Sequence, residues 1–171
     1  MKKLIVLFVL IFLIGCHTDT SVSPENIIPD SFGKSVANPS FLIRGEIGNA
    51  VSSAIFGIRD DATSGFDVKY DMPCPPPPPA DWIQLSFPHN WGIFTKWMVD
   101  ITNTRSAYWT LEVESSLSGL VTLSWGVLPV GLMLKDMESG VVVDMNELNS
   151  YRFQYINIRT FNIWIENPSR F

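Results

Sequence analysis

The chain has 171 residues, with 12 basic and 17 acidic side chains and a formal net charge of −5. This length fits one domain with a short additional segment. An acidic chain without a basic run argues against nucleic-acid binding and against polybasic adhesion to anionic lipid. Six Trp residues within a 46% hydrophobic composition supply enough apolar surface for a sizeable core, and two cysteines are too few for a disulfide-stapled scaffold.

The chain begins with Met1, Lys2 and Lys3, which precede an apolar run over residues 4–14. A basic start, an apolar run and a small residue at Gly15 are typical of a secretory signal peptide. At about 1.5 Å per residue, the run spans only about half of a hydrocarbon core that is about 30 Å thick. The pattern therefore predicts a signal peptide over residues 1–15 and disfavours a transmembrane helix.

The segment LIGC at residues 13–16 resembles the lipobox of bacterial lipoproteins. The resemblance implies that Cys16 is lipidated and becomes the first residue of the mature protein. It leaves Cys74 without an intramolecular partner, so we interpret Cys74 as a free thiol, with an intermolecular disulfide as the alternative. Because His17 rather than Asp follows the cysteine, lipoprotein sorting implies the outer membrane if the source is Gram-negative.

Residues 16–40 are polar and rich in turn formers, including Pro24, Pro29 and Pro39. They show neither the two-residue period of a strand nor the 3.6-residue period of a helix. This composition predicts a flexible tether between the lipid and a folded domain at residues 41–171.

Short apolar-alternating runs separated by turn residues recur along residues 41–171. Trp109, Leu111 and Val113 alternate with polar residues, and residues 97, 99 and 101 are expected to share one face. The pattern predicts an all-β domain with an antiparallel immunoglobulin-like β-sandwich, or alternatively a small β-barrel. About ten strands are expected, at residues 41–47, 54–58, 82–87, 97–101, 109–113, 121–125, 132–134, 141–145, 151–155 and 161–165.

Residues 73–79 contain an unbroken run of five prolines that begins at Pro75. Such a run favours an extended polyproline II rod, which has no N–H donors for a sheet. We interpret it as a stiff polyproline connector, with a docking motif for an aromatic groove as the alternative.

Three segments carry a recognisable pattern in this order: DDATSGFD at residues 60–67, DMP at residues 71–73 before the prolines, and WTLEV at residues 109–113. They resemble a domain of secreted and surface proteins from several bacterial phyla, many of which carry a C-terminal sorting domain of the type IX secretion kind. The resemblance covers about residues 45–166. It implies an immunoglobulin-like β-sandwich and carries over no catalytic residues.

Candidate catalytic groups are few. A Ser-His-Asp triad would have to use His89, which we interpret as an exposed loop residue. Glu112 and Glu114 are two strand residues apart, which matches the carboxylate separation of an inverting glycosidase, but any alternating strand produces this spacing. We interpret them as part of a solvated face, and we assign no catalytic residue.

Asp60, Asp61, Asp67 and Asp71 form the densest carboxylate cluster. Oxygen ligands of this kind suit calcium, although the spacing does not match an EF-hand loop and Asp is also an ordinary turn former. The cluster is a candidate calcium site, and no other metal or cofactor is expected.

The six Trp residues divide into two groups. Trp82 and Trp164 lie on the opposite parity from the apolar face of their strands, and Trp91 is expected in a loop, so these three form a candidate ligand patch. The other three share faces with aliphatic residues and are predicted to be core: Trp97, Trp109 and Trp125.

These features together predict a lipid-anchored protein of the cell envelope that acts as a non-catalytic binding or structural module. The expected partners are the membrane, through the lipid, and an envelope protein or a glycan. A carbohydrate-binding module that uses exposed Trp side chains is the alternative, and an unrecognised hydrolase is a third class.

Overall fold

The computed structural model describes residues 39–103 and 108–166. Within these ranges there are eleven strands and no helix. The strands are β1 (Ser40–Ile47), β2 (Ala50–Ile58), β3 (Met72–Pro73), β4 (Ile83–Trp91), β5 (Phe94–Thr102), β6 (Tyr108–Ser115), β7 (Gly119–Trp125), β8 (Leu132–Asp136), β9 (Val142–Asp144), β10 (Ser150–Tyr155) and β11 (Arg159–Ile165).

The strands form one hydrogen-bonded sheet that is nearly closed into a barrel. Its order is β10-β7-β1-β2-β5-β4-β6-β11-β8-β9, and the short strand β3 pairs separately with β5. Strand β4 joins two halves of this sheet, which are β10, β7, β1, β2 and β5 on one side and β6, β11, β8 and β9 on the other. Ile83 to Ser86 pair with β6, whereas Phe87 to Trp91 pair with β5. Each half therefore depends on β4 for its connection to the other.

The all-β prediction is confirmed, and each of the ten expected runs lies on a strand. The expectation of a purely antiparallel arrangement is wrong for one pair in the described residues, since β2 and β5 run parallel with Phe56 beside Asp100. For β5 to run in the same direction as β2, the chain must first return to the end of the sheet at which β2 begins. The connection over residues 59–82 and strand β4 together make this return. Strand β3 was not predicted, because two residues carry no period.

The two halves approach closely at Gly45, which lies on β1 and is buried. A Cβ atom at this position would lie 2.5 Å from Leu85 Cδ1 on β4 and 3.3 Å from Ile83 Cδ1. Leu85 is 1% exposed and packed, so its side chain has little room to move. The absence of a side chain at Gly45 thus sets the distance between β1 and β4 in the main core.

The two ends of the sheet meet through side chains around Asp136, which is fully buried at the end of β8. Arg159 Nη2 lies 2.6 Å from Asp136 Oδ2, and the Tyr151 hydroxyl on β10 donates to the same oxygen at 2.9 Å. The Phe153 ring on β10 packs 5.1 Å from the Phe161 ring on β11. These contacts hold β10 against β8 and β11, where no ladder hydrogen bonds join them in the described chain.

The regular alternation of side chains between the two faces of β5 is interrupted at Met98. Met72 pairs with Val99 and Pro73 pairs with Trp97, so the register shifts by one residue at Met98, as in a β-bulge. Trp97 lies in the main core, but Val99 and Ile101 pack in a second cluster. The prediction that residues 97, 99 and 101 share one face is therefore wrong, and the register shift is the reason.

The second cluster lies under the segment over residues 59–71. Ala62 and Tyr70 from this segment pack on Val99 and Ile101 of β5. Asp71 fixes its end, because the Asp71 carboxylate accepts hydrogen bonds from the backbone N–H of Ile101 at 3.0 Å and of Asp67 at 2.7 Å. The segment is thereby held against the sheet.

We predict that Gly45→Ala destabilises the protein by about 1–3 kcal/mol, because the new methyl group overlaps Leu85 in a packed core. The matched control is Gly126→Ala, since a Cβ atom at Gly126 meets nothing within 4 Å. Urea unfolding followed by tryptophan fluorescence measures both variants. Equal stability of the two variants would contradict the close approach of β1 and β4.

We predict that Asp136→Asn destabilises the protein by about 3 kcal/mol, because it leaves the Arg159 guanidinium without its buried partner. Glu147→Gln, at an exposed position, is the control. Burial alone raises the pKa of Asp136, but hydrogen bonds from Arg159 and Tyr151 outweigh it and hold the pKa below the ordinary value of 3.8.

The pH dependence follows from the direction of this pKa shift. The stabilisation from Asp136 is fully present above the ordinary pKa and is lost as the pH falls through the lower folded-state pKa. Acid unfolding curves of the wild type and of Asp136→Asn should therefore converge at low pH. A stability difference that persists unchanged at pH 2 would contradict the role of the charged carboxylate.

Candidate functional site

The hairpin that joins β4 and β5 places two large aromatic residues at its tip. Trp91 and Phe94 face each other across a two-residue turn, in which Gly92 has a φ of 69°. This left-handed conformation favours glycine over residues with a side chain. The turn therefore fixes Trp91 and Phe94 side by side at one end of the sheet.

Trp91 and Phe94 belong to an aromatic cluster that is partly exposed. The Trp97 ring lies at its base, with its centroid 5.4 Å from Trp91, 6.0 Å from Phe94 and 4.8 Å from Phe66. Phe66 comes from the segment over residues 59–71 and is 48% exposed, and Phe94 is 47% exposed. We call these four residues the aromatic cluster. Its rings pack on buried Trp97 and still reach the solvent.

His89 connects the aromatic cluster to a buried carboxylate. Its ring stacks on Trp91 with centroids 3.8 Å apart and planes 3° from parallel, and its Nε2 lies 2.8 Å from Asp100 Oδ2. Asp100 is only 4% exposed. The interpretation of His89 and Trp91 as loop residues is wrong, since both lie on β4 and are half-buried.

Two shifts of register bring His89 and Asp100 together. The β5 shift at Met98 turns Asp100 toward the side of the main core, where it lies beside Phe56 of β2. A second shift between Pro88 and Trp91 places one extra residue in β4 next to His89. Bulges of this kind redirect side chains, and alternation along the sequence does not reveal them.

A cavity of about 200 Å³ opens beside this pair. His89, Asp100 and Trp91 form one side, and Tyr108 and Trp109 of β6 form another. The remaining lining residues are Thr63, Ser64, Gly65, Ile101 and Thr102. We call this space the His89 cavity, and it combines aromatic walls with a buried carboxylate.

The three Trp residues predicted as one ligand patch are not brought together. Trp82 directly precedes β4 and Trp91 is its last residue, so the two lie roughly 25–30 Å apart for a strand that rises about 3.3 Å per residue. Trp164 lies on β11 directly opposite Tyr108 of β6. Since Tyr108 also lines the His89 cavity, Trp91 and Trp164 belong to one region of the surface and Trp82 does not.

Carboxylates of the segment over residues 59–71 have partners within the protein. Lys69 Nζ lies 2.9 Å from Asp61 Oδ2, and this contact lowers the pKa of Asp61 to about 2. Asp67 Oδ1 accepts a hydrogen bond from the Lys69 backbone, and burial raises the pKa of Asp71. In the described parts of the chain, no three His, Cys, Asp or Glu side chains are grouped to hold a metal ion. The calcium site at Asp60, Asp61, Asp67 and Asp71 stays a prediction.

Glu112 and Glu114 lie on one face of β6, as their spacing predicts. Glu114 forms an ion pair with Lys96 of β5 and is 16% exposed. Burial raises the pKa of Glu112, and the neighbouring Glu114 charge adds to this shift. The interpretation of a solvated face is wrong for Glu114, because its carboxylate is largely covered and pairs with Lys96.

Cys74 lies between β3 and the prolines and is a half-buried free thiol. Its Sγ lies 3.8 Å from the Leu85 carbonyl oxygen, and burial raises the pKa of the thiol to about 11. The prolines at 75–79 are exposed, and Gln84 Nε2 donates to the Pro75 carbonyl at 3.0 Å. Prolines 75–78 and Trp82 line a second cavity of about 260 Å³. Cys16 and residues 17–38 of the tether predicted at residues 16–40 lie outside the described residues, whereas Ser40 begins β1.

The arrangement at His89 places an imidazole and a carboxylate next to aromatic rings. A Ser-His-Asp mechanism would also need a hydroxyl that is hydrogen-bonded to the imidazole. The hydrogen bond that the structure gives to the His89 ring is the one with Asp100. The pair at His89 and Asp100 therefore offers polar contacts beside an aromatic wall.

No protein-family model, curated protein or solved structure matches the chain. The described residues also contain no helix that is long and apolar enough to cross a membrane.

We predict that Cys74 reacts slowly with iodoacetamide at pH 8 in the folded protein. Its pKa of about 11, against an ordinary 9.0, lowers the thiolate fraction roughly a hundredfold. The measurement uses the Cys16→Ala variant, in which Cys74 is the only cysteine. The same variant in urea is the control and should react at an ordinary rate, so equal rates in both conditions would contradict the buried position of the thiol.

Proposed function

We propose that this protein is a lipid-anchored binding module of the cell envelope without a catalytic role. The observation that supports binding best is the aromatic cluster of Phe66, Trp91, Phe94 and Trp97. Two of its rings are nearly half exposed, although each is held in place by Trp97. The lipobox at residues 13–16 supports the lipid anchor.

Exposed aromatic groups carry a free-energy cost that a partner can remove. Ile93, at the tip of the same hairpin, is 89% exposed and extends the apolar surface around Phe66 and Phe94. Aromatic residues are enriched at binding interfaces because each buries a large area with little loss of side-chain freedom. An envelope protein or a glycan that covers this surface would therefore gain apolar contact.

A carbohydrate-binding module is the second candidate function. Trp164 and Tyr108 face each other on β11 and β6, and Tyr108 continues to the wall that Trp91 forms. Sugar rings stack their C–H faces on such aromatic surfaces, while carboxylate and imidazole groups bind their hydroxyls. This continuity favours a glycan over a purely apolar ligand.

The proposed function includes a location at a membrane. We propose that lipidation at Cys16 holds the protein to a membrane leaflet, in the outer membrane if the source is Gram-negative. We also propose that the residues between Cys16 and β1 tether the domain. Several acyl chains would make release slow, because each buried methylene contributes about 0.8 kcal/mol.

We further propose that the two packed halves of the sheet form a β-sandwich of the immunoglobulin-like class. The close approach of β1 and β4 supports this assignment.

We predict that the wild-type protein fractionates with membranes and that Cys16→Ala releases it, because the lipid is the only expected anchor. Cys74→Ala is the matched control, since it also removes one thiol but should stay with the membrane. Protease treatment of intact cells then reports which side the domain faces. Membrane retention of Cys16→Ala would contradict the lipid anchor, and protection from protease on intact cells would place the partner inside the envelope.

A further inference from the structure

The His89 cavity is small compared with ordinary ligand pockets. Its volume of about 200 Å³ lies below the range of about 300–1,000 Å³ that is usual for drug-sized ligands. Its walls combine two exposed or half-buried aromatic rings, Trp91 and Tyr108, with the hydroxyls of Thr63 and Ser64. This size and lining suit a single small ring that has both an apolar face and polar edges.

The charge of the cavity selects the kind of ligand. Asp100 is buried, and a carboxylate has about four acceptor positions, of which His89 uses one. The neighbouring carboxylate of Asp71 is also buried. An acidic ligand would meet repulsion in this low-dielectric site, whereas a neutral ligand with hydroxyl donors would pair with Asp100.

We propose that the His89 cavity binds one neutral pyranose ring of a carbohydrate. The C–H face of the ring lies on the wall of Trp91 and Tyr108, and its hydroxyls donate to Asp100. This inference rests on the proposed binding function and names the ligand class and the residues of its site.

The test is a titration of the full-length chain, purified in detergent, with methyl glycosides of glucose, galactose, mannose and N-acetylglucosamine. Methyl glucuronide serves as the acidic probe. The indole N–H signals of the six Trp residues are followed by NMR in the wild type, so that no substitution is required. We expect at least one neutral glycoside to shift the signals of Trp91 and Trp109 and to leave that of Trp82 unchanged.

Two pairs of variants test the contacts. Asp100→Asn should weaken the binding of the active glycoside at least about tenfold, since it removes a charge-assisted acceptor, whereas Asp144→Asn, outside the cavity, should not. Trp91→Leu should weaken binding in the same way, and Trp82→Leu is its control. Trp91→Leu keeps the test decisive if Asp100→Asn fails to fold.

Each outcome has a separate meaning. Shifts at Trp82 instead of Trp91 and Trp109 would overturn this site and place the sugar beside the prolines, which leaves a glycan-binding function intact. Binding of glucuronide as tight as that of the neutral glycosides would overturn the charge argument. If none of the glycosides binds, the proposal fails, while fractionation and protease protection still decide the envelope function independently. Comparing the methyl glycosides with a linear oligosaccharide of the same sugar separates a free monosaccharide ligand from one residue of a chain.

Discussion

The candidate site depends on two register shifts in the hairpin of β4 and β5. If side chains alternated regularly along β5 from Trp97, the charged side chain of Asp100 would point away from the main core. The shift at Met98 turns Asp100 inward, where its carboxylate needs a polar partner, and the second shift in β4 lets His89 supply it at 2.8 Å. The stacking of His89 on Trp91 then fixes the aromatic wall. Without the first shift Asp100 would not face the main core, and without the second shift its carboxylate would lack His89 as a partner.

The regular parts of the sheet support the hairpin in which the two register shifts occur. Strand β4 pairs with β6 in its first half and with β5 in its second half, so the irregular hairpin extends from a strand that is fixed in the main core by Leu85 and Phe87. The buried ion pair of Asp136 and Arg159 holds the two ends of the sheet together on the other side. A nearly closed sheet leaves little edge for unwanted pairing. The exposed apolar groups at the hairpin are therefore presented on a rigid support.

The site combines a carboxylate, an imidazole and aromatic faces. His89 has the buried carboxylate of Asp100 as its partner. The Cys74 thiol does not line this cavity, and burial raises its pKa to about 11. An oriented carboxylate, an imidazole and aromatic faces are the groups that bind polar rings with apolar faces. These groups are the basis of the binding function proposed above.

The sequence by itself determined the all-β class and the position of each long strand. It also determined that three Trp residues lie in the core: Trp97, Trp109 and Trp125. The reason is that a strand with one buried face shows apolar residues at every second position. It did not determine the parallel pairing of β2 with β5, the partner of His89 or the separation of Trp82 from Trp91 and Trp164. These features depend on which strands become neighbours and where the register shifts. A single extra residue at Met98 reverses the face of every residue after it, and only the tertiary contacts of β3 and β2 with β5 decide where that residue lies.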